Sequence, residues 1–518
     1  MRTLVLSYFL IIQIISSILL GLEVSGQCLG DQQYLLLQLK KSLIFHTTAS
    51  KLDFVDWNPS TDCCTWDGVT CHGGCVAGLD LSNRNIVGGI DNSSLFNLQN
   101  LKSLDLSLND FGTLIPSGFG MLADLRYLNL SNAGFVGQIP IDLSGLTGLV
   151  NLDLSTNFLL KLENPNLFML IKNFSKLEEL HLDGVDMSAS GISASCMEYF
   201  PKRSSRLVIS YTSFSGILPT SINNLKKLSL LELTENQFNG TLPNFMLPEL
   251  VYLDLSMNNF TGPIPSFRMA RNLMEIVLSH NGLTGAITLA HWEGLMKLVA
   301  VDLWNNSFSG SIPSSLFALP SLEEIRLSHN GFDGQLPEFT NPSSSLLAVL
   351  ELSSNNLEGP IPVSIFELRK LIVLSLSFNK LNSTVQPDMI QGLTTLLTLD
   401  LSYNNLSFNA WGASFPKNIS TLKLASCKLT KFPHLKNLSN LNYLDLSDNQ
   451  IHGLVPNWIW EVGNESLFYL NLSVNYLVGI QEPYIIPSSL NTIDLHFNQI
   501  RGKIPIPPPF ASYVHRFF

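Results

Sequence analysis

The sequence predicts an α/β-type repeat fold, a curved solenoid with a parallel inner sheet. The pattern LxLxxNxLxGxIP recurs with a period of about 24 residues, most clearly at residues 253–265 and 350–362. Each copy is a strand plus a return turn and is too small to bury its own leucines, so the copies must stack around a shared core. The composition, 45% hydrophobic and 14% charged, is typical of an ordered protein with a buried interior.

Stacked repeats present an exposed, repeated surface, which favours binding over catalysis. The chain has no Gly-x-Ser-x-Gly or His-Glu-x-x-His motif, no phosphate-binding Gly-rich loop with its Lys, and no kinase signature. A formal net charge of -11 argues against a polyanionic partner. We therefore expect no catalysis, no cofactor, no metal and no nucleic-acid partner.

The first residues predict a secretory signal peptide over residues 1–26. Arg2 precedes an apolar stretch at residues 4–20, which Ser and Gln interrupt, and the small residues Ser25 and Gly26 follow. This order predicts cleavage after Gly26. A single membrane anchor is the alternative, but the stretch is short, and no later segment has the roughly 20 consecutive apolar residues that span a bilayer. We expect the mature chain to enter the secretory pathway and to be extracellular.

Secretion would expose Asn-x-Ser/Thr sequons to N-glycosylation. Because Asn, Leu and Ser are abundant in the repeats, several sequons would arise by chance, so their presence does not establish occupancy. The twelve sequon asparagines are Asn92, Asn129, Asn173, Asn239, Asn259, Asn305, Asn382, Asn405, Asn418, Asn437, Asn464 and Asn471.

Residues 27–76 differ from everything after them and predict an N-terminal cap. They hold five of the seven cysteines, together with Trp57 and Trp66. Asp31 is expected to N-cap a helix, and residues 58–60 are expected to form a turn. A cap is needed because the first strand of a solenoid otherwise exposes unpaired backbone groups and open core. The apolar stripe of the predicted helix consists of Leu35, Leu36, Leu39 and Leu43.

Residues 77–518 predict about eighteen repeats. In each repeat the two leucines of LxL point inward and the residue between them points outward, as strand alternation requires. Parallel stacking at about 4.8 Å per strand gives the inner sheet, with the Gly-x-Ile-Pro turns behind it. The predicted strands begin at Leu79, Leu104, Leu128, Leu152, Leu180, Leu207, Leu231, Leu253, Ile276, Val301, Ile325, Leu350, Leu374, Leu399, Leu422, Leu444, Leu470 and Ile493.

An asparagine recurs five residues after the first strand leucine, in a position called the ladder slot below. Its buried amide can donate to and accept from backbone groups of neighbouring turns, so we expect a structural rather than a catalytic role. Other residues break the ladder at Arg84, Ala133, Val185, Thr212 and Cys427, and the Cys427 thiol is expected to be buried. The ladder asparagines are Asn109, Asn157, Asn236, Asn258, Asn281, Asn306, Asn330, Asn355, Asn379, Asn404, Asn449, Asn475 and Asn498.

The interval between residues 180 and 207 is irregular. It is interpreted either as a variable insertion on the solenoid edge or as an imperfect join in a gene model. Its unusual residues are Cys196, Pro201 and the basic run Lys202, Arg203 and Arg206.

The end of the chain also departs from the pattern. After Ile493 it runs through a proline-rich segment and stops at Phe518, about where one more strand would begin. We therefore expect no C-terminal cap and an uncovered last core layer, which solenoids ordinarily avoid. This predicts truncation, in the gene or in its model.

Several segments resemble a known family. The string CCTWDGVTC at residues 63–71 is similar to the N-terminal cap of plant leucine-rich-repeat receptors, and LxGxIP is similar to their plant-specific repeat. Segments 350–366, 422–430 and 441–460 further resemble plant receptor-like proteins of the Verticillium-wilt-resistance type. The similarity covers nearly all of the mature chain.

This resemblance implies an extracellular immune-receptor ectodomain at the plasma membrane. Such a protein would recognise a pathogen-derived, proteinaceous or peptide ligand and signal through a partner receptor kinase. Full-length members carry further repeats, a C-terminal cap, one membrane span and a short cytoplasmic tail. Two alternatives are a soluble apoplastic inhibitor of microbial cell-wall-degrading enzymes, if the chain truly ends at Phe518, and a non-functional receptor fragment.

The resemblance also implies two disulfides, Cys28 with Cys63 and Cys64 with Cys71, which would staple the cap helix to the first repeat. Zinc binding is the rival interpretation of these cysteines. However, no His spacing around them matches a zinc site, and a secreted chain meets an oxidising compartment. Cys75 is left without a predicted partner.

Specificity is expected where exposed strand positions depart from the usual Ser and Asp. The densest departure covers adjacent repeats in the middle of the chain, where Trp lies beside Arg and His, a combination typical of binding hot spots. Ordinary surface variation is the alternative. The candidate ligand-binding residues are Glu275, His280, Trp304, Glu324, Arg326 and His329.

Three further surface features are predicted. A second aromatic set comprises Tyr443, Tyr469 and Phe497, and glycans on Asn129 and Asn471 would leave the middle repeats as the freer surface. The aspartates that recur at the outward strand position are interpreted as a solvated acidic column. This column consists of Asp80, Asp105, Asp153, Asp254, Asp302, Asp400, Asp445 and Asp494.

Overall fold

The computed structural model describes residues 27–46, 57–188, 194–408, 415–501 and 513–515. The chain divides into two compact units, Met1–Gln237 and Phe238–Phe518. The predicted signal peptide lies outside the described residues. Within the described ranges, no helix is both long and apolar enough to cross a bilayer.

The N-terminal unit begins with a helix, Gly30–Ser42. Its N-cap is Leu29, which makes no side-chain capping bond, so the prediction that Asp31 is the N-cap is wrong. Asp31 lies in the first turn instead, where a negative charge still interacts favourably with the helix dipole. Leu36 and Leu39 are buried, so the apolar stripe of the helix faces the interior.

Two disulfides join the cap, Cys28 to Cys63 and Cys64 to Cys71, which are the pairs that the resemblance implies. Cys75 is half-buried and makes no disulfide. A short antiparallel strand, Val69–His72, pairs with Cys75–Asp80. It therefore covers the edge of the first parallel strand, which would otherwise present unpaired backbone groups to water.

Two tryptophans fill the cap interior. Trp57 and Trp66 are buried and stack with ring centroids 5.4 Å apart. The indole of Trp57 donates to the carbonyl of Asp67, and that of Trp66 donates to the hydroxyl of Thr61. Both polar ends of the rings are thus satisfied, as buried indoles require.

Parallel strands continue the N-terminal unit. They pair in a constant register, with Leu79 opposite Leu104 and Leu104 opposite Leu128. These central leucines are buried, and full burial of each contributes roughly 1.5–3 kcal/mol relative to exposure. The strands are Cys75–Asp80, Ser103–Asp105, Tyr127–Asn129, Asn151–Asp153, Glu179–His181, Arg206–Val208 and Leu230–Glu232.

The C-terminal unit repeats this arrangement. Ile276, Val301 and Ile325 occupy equivalent, paired and buried positions in neighbouring strands. The strands are Tyr252–Asp254, Glu275–Val277, Ala300–Asp302, Glu324–Arg326, Val349–Glu351, Val373–Ser375, Thr398–Asp400, Thr421–Lys423, Tyr443–Asp445, Tyr469–Asn471, Thr492–Asp494 and Tyr513–His515. All eighteen predicted strand positions are therefore confirmed, because each lies in a different inner strand.

A second set of short strands follows the inner strands. In the N-terminal unit these are Ile86–Val87 paired with Ile44–Phe45, Val136–Gln138 paired with Leu159–Lys161, and Ser215–Ile217. In the C-terminal unit they are Asn259–Gly262, Gly282–Ala286, Ser307–Gly310, Gly331–Gln335, Asn356–Gly359, Lys380–Leu381, Thr384–Val385, Ser407–Phe408, His452–Val455 and Tyr476–Ile480. The strand Gln237–Gly240 spans the unit boundary.

Short helical turns lie on the return path, which is the part of each repeat that leads back to the next inner strand; Cys63–Thr65 is the exception and lies in the cap. The α-helical turns are Leu167–Ile171, Leu289–Trp292, Ser314–Phe317 and Pro387–Gln391. The 3-10 turns are Cys63–Thr65, Ser94–Asn97, Ser117–Met121, Ile141–Gly145, Ala194–Tyr199, Thr220–Asn224, Pro342–Ser344, Val363–Glu367 and Asn457–Trp460.

The ladder asparagines make the predicted bonds across repeats. The side-chain amide of Asn355 donates to the carbonyls of Leu327, Leu352 and Ser353, and its oxygen accepts from the backbone N–H of Phe332. Asn109, near the start of the array, bonds in the same way to groups of its own and the preceding repeat. One buried amide thus satisfies backbone groups that would otherwise lack partners.

Residues that break the ladder are accommodated locally. The hydroxyl of Thr212 donates to the amide oxygen of Asn236, the next ladder residue. Cys427 is fully buried, as predicted, and its thiol donates weakly to the carbonyls of Leu401 and Ala425 at 3.5 Å. Burial raises the pKa of this thiol, so it stays protonated and inert.

The irregular interval keeps the strand register. Glu179–His181 pairs directly with Arg206–Val208, and the 3-10 turn Ala194–Tyr199 lies between them. In the basic run, Arg203 forms an ion pair with Glu178 at 3.1 Å. The extra residues are therefore absorbed outside the inner strands.

The last described strand changes one expectation. Tyr513–His515 pairs in parallel with Thr492–Asp494, with Val514 opposite Ile493. The expectation that the chain stops about where one more strand would begin, with the layer at Ile493 uncovered, is therefore wrong, because that strand is present. The proline-rich segment that precedes the added strand lies outside the described residues.

Replacement of Asn355 by Ala is expected to lower the free energy of unfolding by about 2–4 kcal/mol, because three carbonyls and one N–H lose a buried partner. The neighbouring Asn356 is exposed and provides the matched control. Its replacement by Ala is expected to change stability by less than about 0.5 kcal/mol. Denaturant unfolding followed by circular dichroism measures both, and equal effects at the two positions would contradict the ladder role.

Candidate ligand-binding surface

The residue before every ladder slot has a left-handed backbone. Its φ lies between 47° and 57° in every repeat except at Gly184, where it is 82°; His280, Asn305 and His329 have φ of 53°, 53° and 57°. This conformation is uncommon outside glycine and is retained only where surrounding bonds enforce it. Here the N–H of His280 donates to the carbonyl of Trp304, and the N–H of Asn305 donates to that of Ser328.

This constraint presents side chains at the surface irrespective of their type. The column of left-handed residues includes several large apolar side chains that are about half exposed. They include Leu108, Tyr211, Met257, Phe378, Tyr403 and Phe497. The repeat therefore fixes the backbone but leaves the chemistry of this column free to vary.

The aspartate column has a structural role. Asp105, Asp153 and Asp445 each accept a bond from the backbone N–H two residues later. Asp254 is only 3% exposed. The interpretation of a solvated column is therefore wrong beyond Asp80, which is exposed, because neighbouring repeats crowd the other seven carboxylates. Burial raises the pKa of Asp105 and of Asp445 above the usual range.

Trp304 occupies a position that serine holds in most repeats. Its N–H donates to Asp302 at 2.9 Å, as the serine N–H does elsewhere, but the indole is 36% exposed. The rings of His280 and His329 contact this indole edge-on, with centroids 4.2 and 5.6 Å away. These three residues, together with Asn305, are called the Trp304 cluster below. All three aromatic residues of the cluster are candidates that the sequence indicated, and the structure brings them together.

A charged group lies directly beside this cluster. Arg326 contacts Glu324 at 2.5 Å and Glu351 at 3.2 Å. Glu324 is only 8% exposed, so the expectation that it is at an exposed strand position is wrong. Burial raises the pKa of Glu351, against the attraction of Arg326. Sequence reasoning missed Glu351 because glutamate there resembles the ordinary polar variation of the repeat.

Glu275 lies on the same face but in a different part of it. Its strand pairs with Ala300, which pairs in turn with Glu324, so one repeat separates the two glutamates. Glu275 is half-buried. A shallow cavity of about 400 Å³ opens beside His280, with Asn259, Thr261 and Asn305 in its walls.

A second aromatic group lies further along the C-terminal unit. The rings of Tyr443 and Tyr469 stack with centroids 4.1 Å apart, and the Lys423 ammonium lies 5.1 Å from the Tyr443 centroid. Phe497, predicted to belong to this set, contacts His496 instead.

One further pair was not foreseen. Phe378 and Tyr403 stack with centroids 4.5 Å apart. Both precede ladder asparagines in adjacent repeats, and comparison of that slot between repeats would have revealed the pair.

The geometry suits recognition rather than metal binding or acid–base chemistry. Among the described residues, Cys28, Asp62, Cys63 and Cys64 place potential metal ligands within 4.8 Å of one another. Their sulfurs are held in disulfides and cannot act as thiolates. The carboxylates of Glu324 and Glu351 beside Trp304 already pair with Arg326.

The sequon asparagines differ in accessibility. Ten are exposed, whereas Asn129 and Asn471 are half-buried. The Asn129 amide donates to Asp105 and its oxygen accepts from Ser131. Asn305, in contrast, is exposed beside Trp304, which counts against the expectation that the middle repeats are the freer surface. Occupancy at all twelve sites stays a prediction.

Known families match much of the chain. The family described as "Leucine rich repeat N-terminal domain" matches residues 29–72. The family described as "Leucine rich repeat" matches residues 76–134 and 345–412, and a further repeat family of the same description matches residues 124–146, 249–268, 297–319 and 440–462. These matches include the strands Ala300–Asp302 and Val349–Glu351, which pair with the two sides of Glu324–Arg326.

Curated plant proteins are similar over parts of the chain. Receptor-like protein 6 of Arabidopsis thaliana is 40% identical over 201 residues, covering 37% of this chain and 20% of that protein. Receptor-like protein Cf-9 of Solanum pimpinellifolium is 35% identical over 227 residues, covering 40% and 26%. Receptor-like protein 39 of Arabidopsis thaliana is 32% identical over 483 residues, covering 86% and 48%. The chain spans less than half the length of each of these relatives.

Solved ectodomains share the fold. The ectodomain of the receptor kinase GASSHO1/SCHENGEN3 from Arabidopsis thaliana, in complex with CASPARIAN STRIP INTEGRITY FACTOR 2, has a TM-score of 0.63 at 26% identity and covers 92% of this chain and 68% of that chain. The Arabidopsis receptor kinase HAESA, in complex with the peptide hormone IDA and the co-receptor SERK1, has a TM-score of 0.54 at 25% identity, covering 92% and 95%. The finer resemblance to the Verticillium-wilt-resistance type stays a prediction.

Asp302 provides a pH test of the inner-face geometry. Burial raises its carboxyl pKa, so the charged form destabilises the folded chain. This penalty grows as pH rises from the unfolded pKa, about 3.9, through the raised folded value. Asp302→Asn keeps an acceptor for the Trp304 N–H and removes the charge. It is expected to raise the thermal midpoint near pH 7 and to have little effect near pH 3.

The control is Asp333→Asn, which removes an exposed carboxylate in the next repeat. It is expected to leave the midpoint nearly unchanged at both pH values. A midpoint near pH 7 that falls in Asp302→Asn would show that attraction to Arg326 outweighs burial, contrary to the stated balance.

Proposed function

We propose that this chain, a leucine-rich-repeat protein similar to the plant receptor-like proteins, is a non-catalytic extracellular recognition module that binds a peptide or protein ligand through the Trp304 cluster. The observation that carries the proposal is an exposed indole held between two imidazoles on the inner face. Rigid, partly exposed aromatic anchors of this kind are typical of binding hot spots.

The architecture supports binding without catalysis. Similar ectodomains were solved in complex with CASPARIAN STRIP INTEGRITY FACTOR 2 and with the peptide hormone IDA. The inner face offers a row of fixed positions along which an extended ligand can contact several repeats at once. Hydrogen bonds to adjacent repeats hold the backbone of each position, so little side-chain and backbone ordering remains to oppose binding.

The Trp304 cluster also suits a ligand with both apolar and charged groups. Trp304 offers apolar area, and Arg326 beside it is 37% exposed even though two glutamates hold it. The adjacent carboxylates, Asp302 and Glu351, leave this region acidic on balance. A ligand that places a basic group near these carboxylates and an apolar group on the indole therefore matches the surface.

The wider biological role extends this proposal. From the sequence resemblance to plant receptor-like proteins, we infer that the ligand is pathogen-derived and that the chain acts in defence. We also infer a receptor-kinase co-receptor, because HAESA was solved with the co-receptor SERK1. The corresponding layout is a signal peptide at residues 1–26, a cap at 27–76 and repeats at 77–518, placed in the secretory pathway and at the extracellular face of the plasma membrane.

Trp304→Ala is expected to weaken ligand binding at least about tenfold, because a buried hot-spot aromatic contributes roughly 2 kcal/mol or more. Surface plasmon resonance against a library of synthetic peptides and secreted proteins identifies ligands of the wild-type chain, and each is retested on the variant. Secretion is expected to be unchanged, because the indole makes no side-chain hydrogen bond among those described and packs only at the surface.

Met296→Ala is the matched control, since Met296 is an exposed apolar residue that lies on the return path of the same unit. It is expected to leave affinity unchanged. Arg326→Ala is expected to weaken binding as well, but it leaves the buried Glu324 unpaired, so its stability is measured in parallel. Unchanged affinity of Trp304→Ala for every ligand would refute the site assignment.

A further inference from the structure

The Trp304 cluster contains its own sequon. Asn305 is followed by Asn306 and Ser307, which completes the N-x-S pattern. Asn305 is exposed, while Asn306 is the ladder residue whose amide bonds to the carbonyls of Leu278 and Leu303. The acceptor of a glycan and the rigid element that positions it are therefore neighbouring residues.

The position of Asn305 relative to the rings is fixed. Its backbone is left-handed, and its N–H donates to the Ser328 carbonyl at 3.0 Å. Its side-chain nitrogen lies 2.8 Å from Nδ1 of His280, whose ring centroid is 4.2 Å from that of Trp304. A sugar attached to that nitrogen begins beside the imidazole that contacts the indole, and N-glycans are bulky.

The other sequons do not share this placement. Of the twelve, which all lie within described ranges, Asn305 alone occupies the left-handed slot before a ladder residue. Asn405, for comparison, follows the ladder residue Asn404 in a repeat four further along the chain. A glycan on Asn405 therefore starts four strand spacings, roughly 19 Å, from the Trp304 repeat.

We propose that Asn305 is an N-glycosylation site whose glycan covers the Trp304 cluster, so that the unmodified chain is the form that binds ligand there. Only the statement that the unmodified chain is the form that binds ligand rests on the proposed function. The covering of Trp304 by the glycan depends on the geometry alone. Modification at this one position would then set the fraction of chains that are competent for recognition.

The test uses the full chain secreted from a eukaryotic host. Ser307→Ala removes the sequon but keeps the Asn305 side chain and its contact with His280. Ser407→Ala removes the Asn405 sequon and is the matched control, since both substitutions replace the serine that starts a strand of the second set. Glycopeptide mass spectrometry measures occupancy, and hydroxyl-radical oxidation of the Trp304 peptide measures accessibility.

We expect a glycan on Asn305 in the wild-type chain and oxidation of Trp304 that rises roughly threefold or more in Ser307→Ala, because the cover is removed. Ser407→Ala is expected to leave Trp304 oxidation at the wild-type level. Trp292, which is fully buried, is the internal reference and should not react in any variant. Enzymatic removal of glycans from the folded wild-type chain should reproduce the increase without any substitution.

Two results would overturn the proposal: an unmodified Asn305 in the secreted wild-type chain, or equal Trp304 oxidation with and without the glycan. A ligand is identified with the wild-type chain or with Ser307→Ala, and its affinity for the two is compared. This comparison tests separately whether the glycan covers Trp304 and whether Trp304 contacts the ligand. Tighter binding by Ser307→Ala supports both. Increased oxidation with unchanged binding leaves the glycan cover in place and refutes Trp304 as the ligand contact.

Discussion

The fold depends on one requirement, which is that backbone groups must find partners where the chain leaves each inner strand. A single buried amide meets this requirement, as Asn355 does by bonding to carbonyls of two repeats and to an N–H of the preceding one. Because the amide takes partners from the adjacent copy, an isolated repeat cannot satisfy it. These bonds therefore tie each repeat to the preceding one. They accompany the stacking of the repeats, the burial of the strand leucines and the left-handed backbone before each ladder slot.

The same requirement shapes the surface. The residue before the ladder slot is held with positive φ in every repeat, so its side chain is presented even when it is a bulky Phe378 or Tyr403. The backbone cost of this conformation, roughly 1–3 kcal/mol per residue, is offset by bonds between repeats. The scaffold can therefore vary its recognition chemistry at a rigid position, and at Trp304 it brings an indole, two imidazoles and a sequon together.

Much of this arrangement could be predicted from the sequence, because the repeat fixes strand register. The strand positions and the ladder asparagines follow from spacing alone. What could not be predicted depends on neighbours in the next repeat. Glu324 and Asp254 are buried by side chains whose sizes no single repeat reveals, and Asp31 missed the N-cap because the helix starts two residues earlier than that cap requires, at Gly30. The stacking of Phe378 on Tyr403 required both the left-handed slot and its alignment between repeats.

The central claim is that recognition occurs at the Trp304 cluster on the inner face of the C-terminal unit. The most direct measurement is an experimental structure of the chain bound to a captured ligand. The account predicts ligand atoms in van der Waals contact with the Trp304 indole and a ligand group within hydrogen-bond distance of Arg326 or Glu351. A ligand seated elsewhere, with the Trp304 indole still open to solvent, would contradict it.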